Sequence, residues 1–232
     1  ESTQRLLQAV DSFCLDAGVL KQHITGVLNL GIIDSTISDP GSPLPRTTQR
    51  FVSRGHDVHL NVYVGTPAEL EERVLDSRLH LAIGHFPNPV PGLEYSPLYQ
   101  EALGLYCGRR HPLFGSTAES EELLEDIGES RIVARGFMQQ YDLDSLGVSK
   151  AAATVDNIEA LAILIISGAY LGFLPNHFAA QWVKTGEMQQ LAPNSLGLTS
   201  PFDLITRRGV APPPILRVFL EDLAATRHDT SA

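Results

Sequence analysis

Residues 27–33, with the sequence VLNLGII, form a short apolar run that contains three β-branched side chains. A run of this kind is typical of a strand buried on both faces of a sheet. The polar loop of residues 34–43, DSTISDPGSP, follows it. The pattern after this loop predicts a helix over residues 44–53, a strand over 58–64, a helix from 67 and a strand over 79–83. This β-α-β-α-β order predicts a largely parallel sheet covered by helices.

Two signals support this organisation. The second helix has a clear start, because Thr66 can cap it, Pro67 suits its first turn and Glu69 completes a capping box. A Pro-rich stretch, residues 87–97, then interrupts the α/β pattern, which starts again on its far side. We expect strands at 103–107, 131–134, 152–155, 170–174 and 202–206, and helices at 120–127, 156–167, 177–184 and after Pro214. The restart predicts two α/β lobes.

Residues 1–20 are predicted to form a helix. Its apolar residues recur at spacings of four and three, as in a coiled-coil seam that is only about two heptads long: Leu6, Val10, Phe13, Ala17 and Leu20. From the spacing alone, an amphipathic helix packed on its own domain remains the favoured alternative.

The composition limits the classes of function. The 17 basic and 27 acidic residues give a formal net charge of -10, which repels nucleic-acid phosphates. Any DNA-reading part is therefore expected to lie outside this chain. No apolar run is long enough to span a bilayer and no signal peptide is visible, so we expect a cytoplasmic protein. The two cysteines, Cys14 and Cys107, have no zinc spacing; buried thiols are favoured over a long-range disulfide.

A search for catalytic and metal motifs finds no nucleophile elbow, no HExxH, no Walker loop and no GxGxxG. None of the eight histidines has a metal-ligand spacing with a neighbouring ligand. We therefore expect no enzymatic activity, no cofactor and no bound metal.

Several short stretches are recognisable together, although none is specific alone. They are 26–31 (GVLNLG), Phe51 with 58–60 (VHL), 65–70 (GTPAEL), 79–84 (LHLAIG), 97–98 (PL), 110–113 (RHPL) and 168–175 (GAYLGFLP). Their order and spacing resemble the regulatory region of the LysR-type transcriptional regulators. That resemblance implies an α/β fold of two Rossmann-like lobes, of the type 2 periplasmic-binding-protein kind.

The resemblance also implies a domain plan and a set of partners. Residues 1–22 would end a linker and dimerisation helix, 23–97 with 201–232 would form lobe 1, and 98–200 would form lobe 2. A small-molecule effector would bind between the lobes, and the protein would associate with itself as a dimer or tetramer. DNA would be bound only through an N-terminal winged helix-turn-helix, which is absent from this chain; no membrane partner is implied.

The polar loop after the first strand is one candidate wall of the effector site. Ser35 and Thr36 carry hydroxyls that can donate to a carboxylate, and Asp34 and Ser38 lie beside them. From the spacing alone these are ordinary turn and cap residues, and it is the resemblance that favours Ser35 and Thr36 as ligand contacts. Asp34 would repel an anion and could instead bind an amine, as in an amino acid. Helix N-termini in the cleft are expected to offer free N–H donors.

Arg135, Gly136 and Phe137 follow a predicted strand of lobe 2 and form the opposite candidate wall. Arg135 can pair with a carboxylate through two parallel hydrogen bonds; a solvated surface arginine is the alternative. His85 and Phe86 end a strand of lobe 1, where the histidine could bind ligand, sense pH or act only as a satisfied hinge residue.

The rival function is a periplasmic solute-binding protein of a transporter, which would share the fold and the cleft. The N-terminal heptad seam, the lack of a signal and the late first strand all disfavour it.

Overall fold

The computed structural model describes residues 24–117 and 119–228. The predicted helix at 1–20, and Cys14 within it, lie outside the described residues. The described chain divides into two compact units. The first contains residues 24–28, Pro43–Asn61 and 211–228, and the second contains Asn29–Ser42 and Val62–Val210.

The described residues form nine strands and seven α-helices. The strands are β1 (Thr25–Ile32), β2 (Asp57–Val64), β3 (Leu81–Gly84), β4 (Leu93–Gly108), β5 (Val133–Arg135), β6 (Ala153–Val155), β7 (Leu171–Pro175), β8 (Met188–Leu191) and β9 (Leu198–Arg207). The helices are α1 (Leu44–Ser53), α2 (Pro67–Leu75), α3 (Glu121–Glu129), α4 (Gln139–Leu146), α5 (Ile158–Ile166), α6 (Asn176–Thr185) and α7 (Pro214–His228). A single 3-10 turn, Thr36–Ser38, follows β1.

The main sheet has the strand order β2-β1-β3-β9-β4-β7, and β8 also pairs with β4. The β1–β3 pairing is parallel, as the β-α-β-α-β pattern predicts. The pairings of β9 with β3 and β4, and of β4 with β7 and β8, are antiparallel. The parallel pairing is therefore local, because the two long strands β4 and β9 lie in the middle of the sheet and pair antiparallel with their neighbours. A second sheet consists of the parallel pair β5 and β6.

The core of the second unit forms against both faces of β4 and β7. One cluster contains Leu105, Cys107, Ile127 and Phe173. The other contains Tyr106 of β4, Val133 of β5 and the buried apolar residues of α5. Helix α5 has the sequence IEALAILII, and its buried positions Ile158, Leu161, Ala162 and Ile165 follow helical periodicity. Strands β5 and β7 are buried along their whole length, so the loops at their ends are anchored on rigid elements.

Helices α1 and α7 form the core of the first unit. Phe51 packs edge-to-face on Phe219, with ring centroids 5.4 Å apart, and both rings are buried. Asp222 is fully buried and accepts hydrogen bonds from Arg50 and Arg54 at 2.7–2.9 Å. The Asp222 carboxylate raises the pKa of Arg54 through this hydrogen bond. Because Asp222 contacts Arg50 of α1 and Arg54, the residue that directly follows α1, it fixes the two helices to each other.

Most predicted elements are present, but the chain differs from prediction at three places. Strand β4 begins at Leu93, inside the Pro-rich stretch expected to be a break. Pro97, which has no N–H, stands where the β4–β9 register shifts between Pro97 and Tyr99. Helix α4 and edge strand β8 were not predicted, because their short polar sequences carry weak periodicity. No described helix is long and apolar enough to cross a membrane.

Candidate functional site

A cavity of about 250 Å³ lies within the second unit where several strands end. Asp34 follows β1, Gly65 and Thr66 follow β2, Phe137 follows β5 and Asp156 follows β6. The wall is completed by Ile33, Val64, Pro67, Glu69 and Asn157. Ligands of open α/β sheets bind outside the carboxyl ends of the strands, so this is the position where the fold rule places an effector.

The helix N-termini at this cavity are already occupied by the protein's own side chains. Asp34 Oδ2 accepts a hydrogen bond from the Ile158 N–H at 2.5 Å, and Asn157 Oδ1 accepts from the Ala160 N–H at 2.8 Å. Both donors belong to the first turn of α5. The expected supply of N–H groups for a ligand is therefore reduced at α5, and Asp34 has a structural contact of its own.

The capping box predicted from sequence is present at α2. Glu69 Oε2 accepts from the Thr66 N–H at 2.8 Å, and Thr66 Oγ1 accepts from the Glu69 N–H at 3.4 Å. The backbone hydrogen bond from Thr66 lowers the pKa of Glu69, so this carboxylate stays charged at the cavity.

The charge of the cavity wall is negative. It contains the carboxylates of Asp34, Glu69 and Asp156, and no lysine, arginine or histidine is among its described lining residues. Such a wall favours a positively charged group over an anion, which is the alternative that Asp34 raised in the sequence.

The hydroxyl-bearing loop is divided between two environments. Ser35 and Ser38 line a second cavity of about 580 Å³, together with Asp34, Ile37 and apolar residues of α5 and α6. Thr36 is buried, and its hydroxyl donates to the Ile33 carbonyl oxygen at 2.8 Å. Because this hydroxyl already donates its proton, it can only accept a hydrogen bond from a ligand. Ser35 adopts the left-handed backbone conformation, with φ 59°.

Arg135 is the most unusual of the predicted residues. It ends β5 and is 2% exposed, and its Nε and Nη2 atoms are buried without a hydrogen-bond partner among the described residues. Its guanidinium carbon lies 5.3 Å from the centroid of the Phe137 ring, which in turn lines the 250 Å³ cavity. A buried guanidinium with donors unpartnered among the described residues has the chemistry to pair with an anion.

Asp142 accompanies Arg135 in the interior. It is 1% exposed, and neither of its carboxylate oxygens has a hydrogen-bond partner in the part of the chain described. Burial raises the pKa of Asp142 to about 6, and the nearby positive charge of Arg135 opposes part of that rise. Asp142 therefore places a carboxylate charge near Arg135 but, among the described residues, makes no hydrogen bond to its guanidinium.

The remaining predicted residues have structural contacts. The Gly136 N–H donates to the Val155 carbonyl at 3.0 Å, which continues the β5–β6 pairing. Phe86 is buried against Tyr95, with ring centroids 5.9 Å apart. His85 Nδ1 lies 2.9 Å from the Pro201 carbonyl oxygen, and burial, with a smaller effect of Arg135, lowers the pKa of His85. His85 is thus a neutral, hydrogen-bonded residue near neutral pH.

Sequence reasoning missed part of the cavity wall. Thr66 was recognised only as a capping residue, and Asp156 and Asn157 only as alternatives for the start of a helix. The rule that ligands lie at strand ends would have included all three, since each follows a strand directly or by one residue.

A third group of side chains comes together away from the 250 Å³ cavity. Asp39, Glu101 and His177 each offer one ligand atom, and these atoms lie within 4.8 Å of one another. They are 62 and 76 residues apart in sequence, so no motif search finds them. They are the residues of the described chain that could hold a metal ion.

Comparison with known proteins identifies the family. Residues 21–227 match the LysR substrate binding domain. The chain is 34% identical over 231 residues to the HTH-type transcriptional activator BauR of Pseudomonas aeruginosa, and the match covers 97% of this chain and 74% of that protein. It is 25% identical over 179 residues to the SDS degradation transcriptional activation protein of a Pseudomonas species, covering 73% of this chain and 58% of that protein.

Solved structures share the fold. The effector binding domain of QuiR in complex with shikimate superimposes with a TM-score of 0.74 at 15% identity, covering 89% of this chain and 99% of that one. Full-length CbnR bound to its target DNA gives a TM-score of 0.63 at 20% identity, covering 98% and 82%. These matches confirm the expected α/β fold of effector-binding domains.

Regulators of this family bind small-molecule effectors, form oligomers and bind DNA through an N-terminal domain; they are not enzymes. The solute-binding alternative is not favoured, because the family and sequence matches are to regulators. The chain therefore belongs to the LysR-type transcriptional regulators, and residues 21–227 correspond to their substrate-binding, or effector-binding, domain.

Proposed function

We propose that this domain senses a small effector that carries a carboxylate and a positively charged group, as an amino acid does. The buried guanidinium of Arg135, two of whose donor atoms have no partner in the described part of the chain, is the observation that carries the proposal. A charge-assisted hydrogen bond contributes about 1.5–3 kcal/mol net. A ligand carboxylate that pairs with Arg135 would both gain this energy and satisfy donors that are costly to leave unpaired.

The acidic cavity supports the second half of the proposal. A positively charged amine would be attracted by Asp34, Glu69 and Asp156, whereas a simple carboxylate would be repelled there. Phe137 lines the cavity and also lies beside Arg135. The negatively charged cavity wall and the positively charged Arg135 therefore both lie next to the Phe137 ring. An effector of this kind would place its amine in the cavity and extend its carboxylate toward Arg135. Ser35 would contact the effector from the neighbouring 580 Å³ cavity, which shares Asp34 with this one, and the buried Thr36 hydroxyl would only accept a hydrogen bond from it.

The consequence for regulation follows from the family. The cavity joins the loops after β1 and β2 to those after β5 and β6. In the expected domain plan, with lobe 1 at 23–97 and 201–232 and lobe 2 at 98–200, these loops belong to opposite lobes. Binding would shift the angle between the lobes, and the linker helices and the oligomer would pass this change to DNA-binding domains in the cytoplasm.

The test separates the two charges of the ligand. Calorimetry would compare aliphatic amino acids with the matching monocarboxylates and the matching primary amines. We expect measurable binding for at least one amino acid, and weaker or no binding for its two single-charge analogues. Binding confined to simple carboxylates or apolar molecules would contradict the amine assignment.

Variants then test the residues. Arg135→Ala should weaken binding of the identified amino acid about tenfold or more, since about 1.4 kcal/mol corresponds to one decade. Thr36→Val removes the hydroxyl assigned to the ligand, and Arg109→Ala removes an exposed arginine as the matched control. If folded Arg135→Ala and Thr36→Val proteins both bind as tightly as the parent, the effector lies elsewhere.

A further inference from the structure

The group formed by Asp39, Glu101 and His177 connects three distant elements of the second unit. Asp39 follows the 3-10 turn after β1, Glu101 lies in the middle of β4, and His177 is the second residue of α6. His177 Nε2 lies 2.9 Å from Glu101 Oε1 and 3.9 Å from Asp39 Oδ2. Two ligands on one tetrahedral zinc ion, with bonds of about 2.0–2.1 Å, are roughly 3.3 Å apart. The observed distances lie on either side of that value.

The two carboxylates are buried and short of positive partners. The side chains of Asp39 and Glu101 are 6% and 2% exposed. Asp39 Oδ1 accepts from the Gly41 N–H at 2.7 Å, whereas Asp39 Oδ2 finds no hydrogen-bond partner in residues 24–117 and 119–228 and lies 3.9 Å from His177 Nε2. Among the described residues, no lysine or arginine forms an ion pair with either carboxylate. Two buried carboxyl groups share one imidazole, and Asp39 Oδ2 is left without a hydrogen-bond partner among the described residues, which is costly unless a cation is bound.

The histidine is oriented as a metal ligand would be. His177 Nδ1 lies 2.9 Å from Ser38 Oγ, and the Ser38 hydroxyl lies 3.2 Å from the Ser35 carbonyl oxygen, to which it donates. In the tautomer with the proton on Nδ1, Ser38 Oγ accepts from that N–H, and Nε2, at hydrogen-bond distance from Glu101 Oε1, presents its lone pair to the carboxylates. A ligating histidine generally uses its other ring nitrogen in this way, which fixes the tautomer and the ring orientation.

We propose that Asp39, Glu101 and His177 form a binding site for a divalent transition-metal ion, with zinc as the representative ion. One imidazole and two carboxylates form a nitrogen and oxygen ligand set that suits such ions. The three protein ligands leave a fourth position open for water or another oxygen donor. None of the three residues lines the 250 Å³ cavity, so the site does not depend on the proposed effector. It runs counter to the sequence-based expectation that no metal is bound, and titration with zinc decides between the two.

Binding at this site would connect the β1 loop, β4 and α6. Ser38, which contacts His177, also lines the 580 Å³ cavity with Asp34. A bound ion would therefore hold the loop that carries Asp34, Ser35 and Thr36 in one position relative to α6.

The first experiment is calorimetric titration of the chelator-treated chain with zinc chloride. We expect one zinc per chain. Ser38→Ala should weaken binding about 10–100-fold, as loss of a ligand-orienting hydrogen bond does, and Glu101→Gln and His177→Gln should weaken it at least as much. His59→Gln, which changes an exposed histidine, is the matched control and should bind as the parent does. The proposal is overturned if the parent takes up no zinc, or if Glu101→Gln and His177→Gln bind zinc with parental affinity.

A second experiment gives a positive signal even where those variants fold poorly. Asp39→Cys would place a thiolate on the metal, and cobalt(II) would then show a sulfur-to-cobalt charge-transfer band in the near ultraviolet. The parent and an exposed His59→Cys control should lack that band. Cobalt binding to Asp39→Cys without the band would show that residue 39 does not ligate the ion and would also refute the site.

Discussion

Replacing Asp142 by asparagine tests the buried charge beside Arg135. Burial raises the pKa of Asp142 from 3.8 to about 6, a difference that corresponds to about 3 kcal/mol at 1.36 kcal/mol for each pKa unit. Because its pKa is higher in the folded state, the folded protein binds this proton more tightly than the unfolded chain does. Stability should therefore fall as the pH rises from about 4 to about 6, and this penalty should remain in full above pH 6.

The Asp142→Asn variant removes that penalty. We expect it to be more stable than the parent at pH 7.5, by up to about 3 kcal/mol, since the carboxylate lacks hydrogen bonds that its loss would break. The advantage should shrink as the pH is lowered from 6 toward 4, because Asp142 of the parent then becomes neutral in the folded state. Urea unfolding of parent and variant at several pH values measures the difference, in which contributions of other titrating groups cancel.

The matched control is Asp144→Asn, which changes an exposed carboxylate of the same helix. It should change the free energy of unfolding by less than about 0.5 kcal/mol at every pH. If Asp142→Asn is less stable than the parent at pH 7.5, or if its effect does not vary between pH 4 and 7, Asp142 is a paired carboxylate. Arg135 would then have a partner within the protein and would need no external anion.

Two further predictions concern the interior of each unit. Asp222→Asn should lower the free energy of unfolding by about 2–3 kcal/mol in urea, because it removes the charge that Arg50 and Arg54 contact. The exposed Glu221→Gln should have little effect, and an equally small effect for Asp222→Asn would show that the ion pairs contribute nothing. Burial raises the pKa of the Cys107 thiol to about 11, so iodoacetamide at pH 8 should not modify Cys107 until the protein unfolds. Peptide mapping distinguishes it from Cys14, and rapid labelling of Cys107 in the folded protein would contradict its burial.

Local chemistry made several elements predictable. The capping box of Thr66 and Glu69 forms because both partners are three residues apart, so no distant contact is needed. Helix α1 was predicted with its observed bounds, Leu44–Ser53, and Asn157 was recognised at the start of α5. The order of strands and helices up to residue 84 could be predicted because apolar periodicity is a property of neighbouring residues.

Elements that depend on pairing were harder to predict. Strand β4 was expected to begin at residue 103 but begins at Leu93, because β9 supplies hydrogen bonds along ten residues of an otherwise proline-rich segment. Edge strand β8 has no distinctive pattern of its own and exists because β4 offers it a partner. No local sequence pattern predicts such pairings, since the partner strand is distant along the chain.

The candidate site shows the same division. The sequence by itself determined the α/β class, the family resemblance and the loops that follow β1 and β5, because these depend on periodicity and short motifs. Only the tertiary structure decided that Thr36 donates to Ile33, that Asp34 accepts from the α5 N-terminus, and that Arg135 is buried with donors unpaired. Hydrogen-bond satisfaction and desolvation depend on what surrounds a group in space, and those neighbours come from segments far apart in the chain.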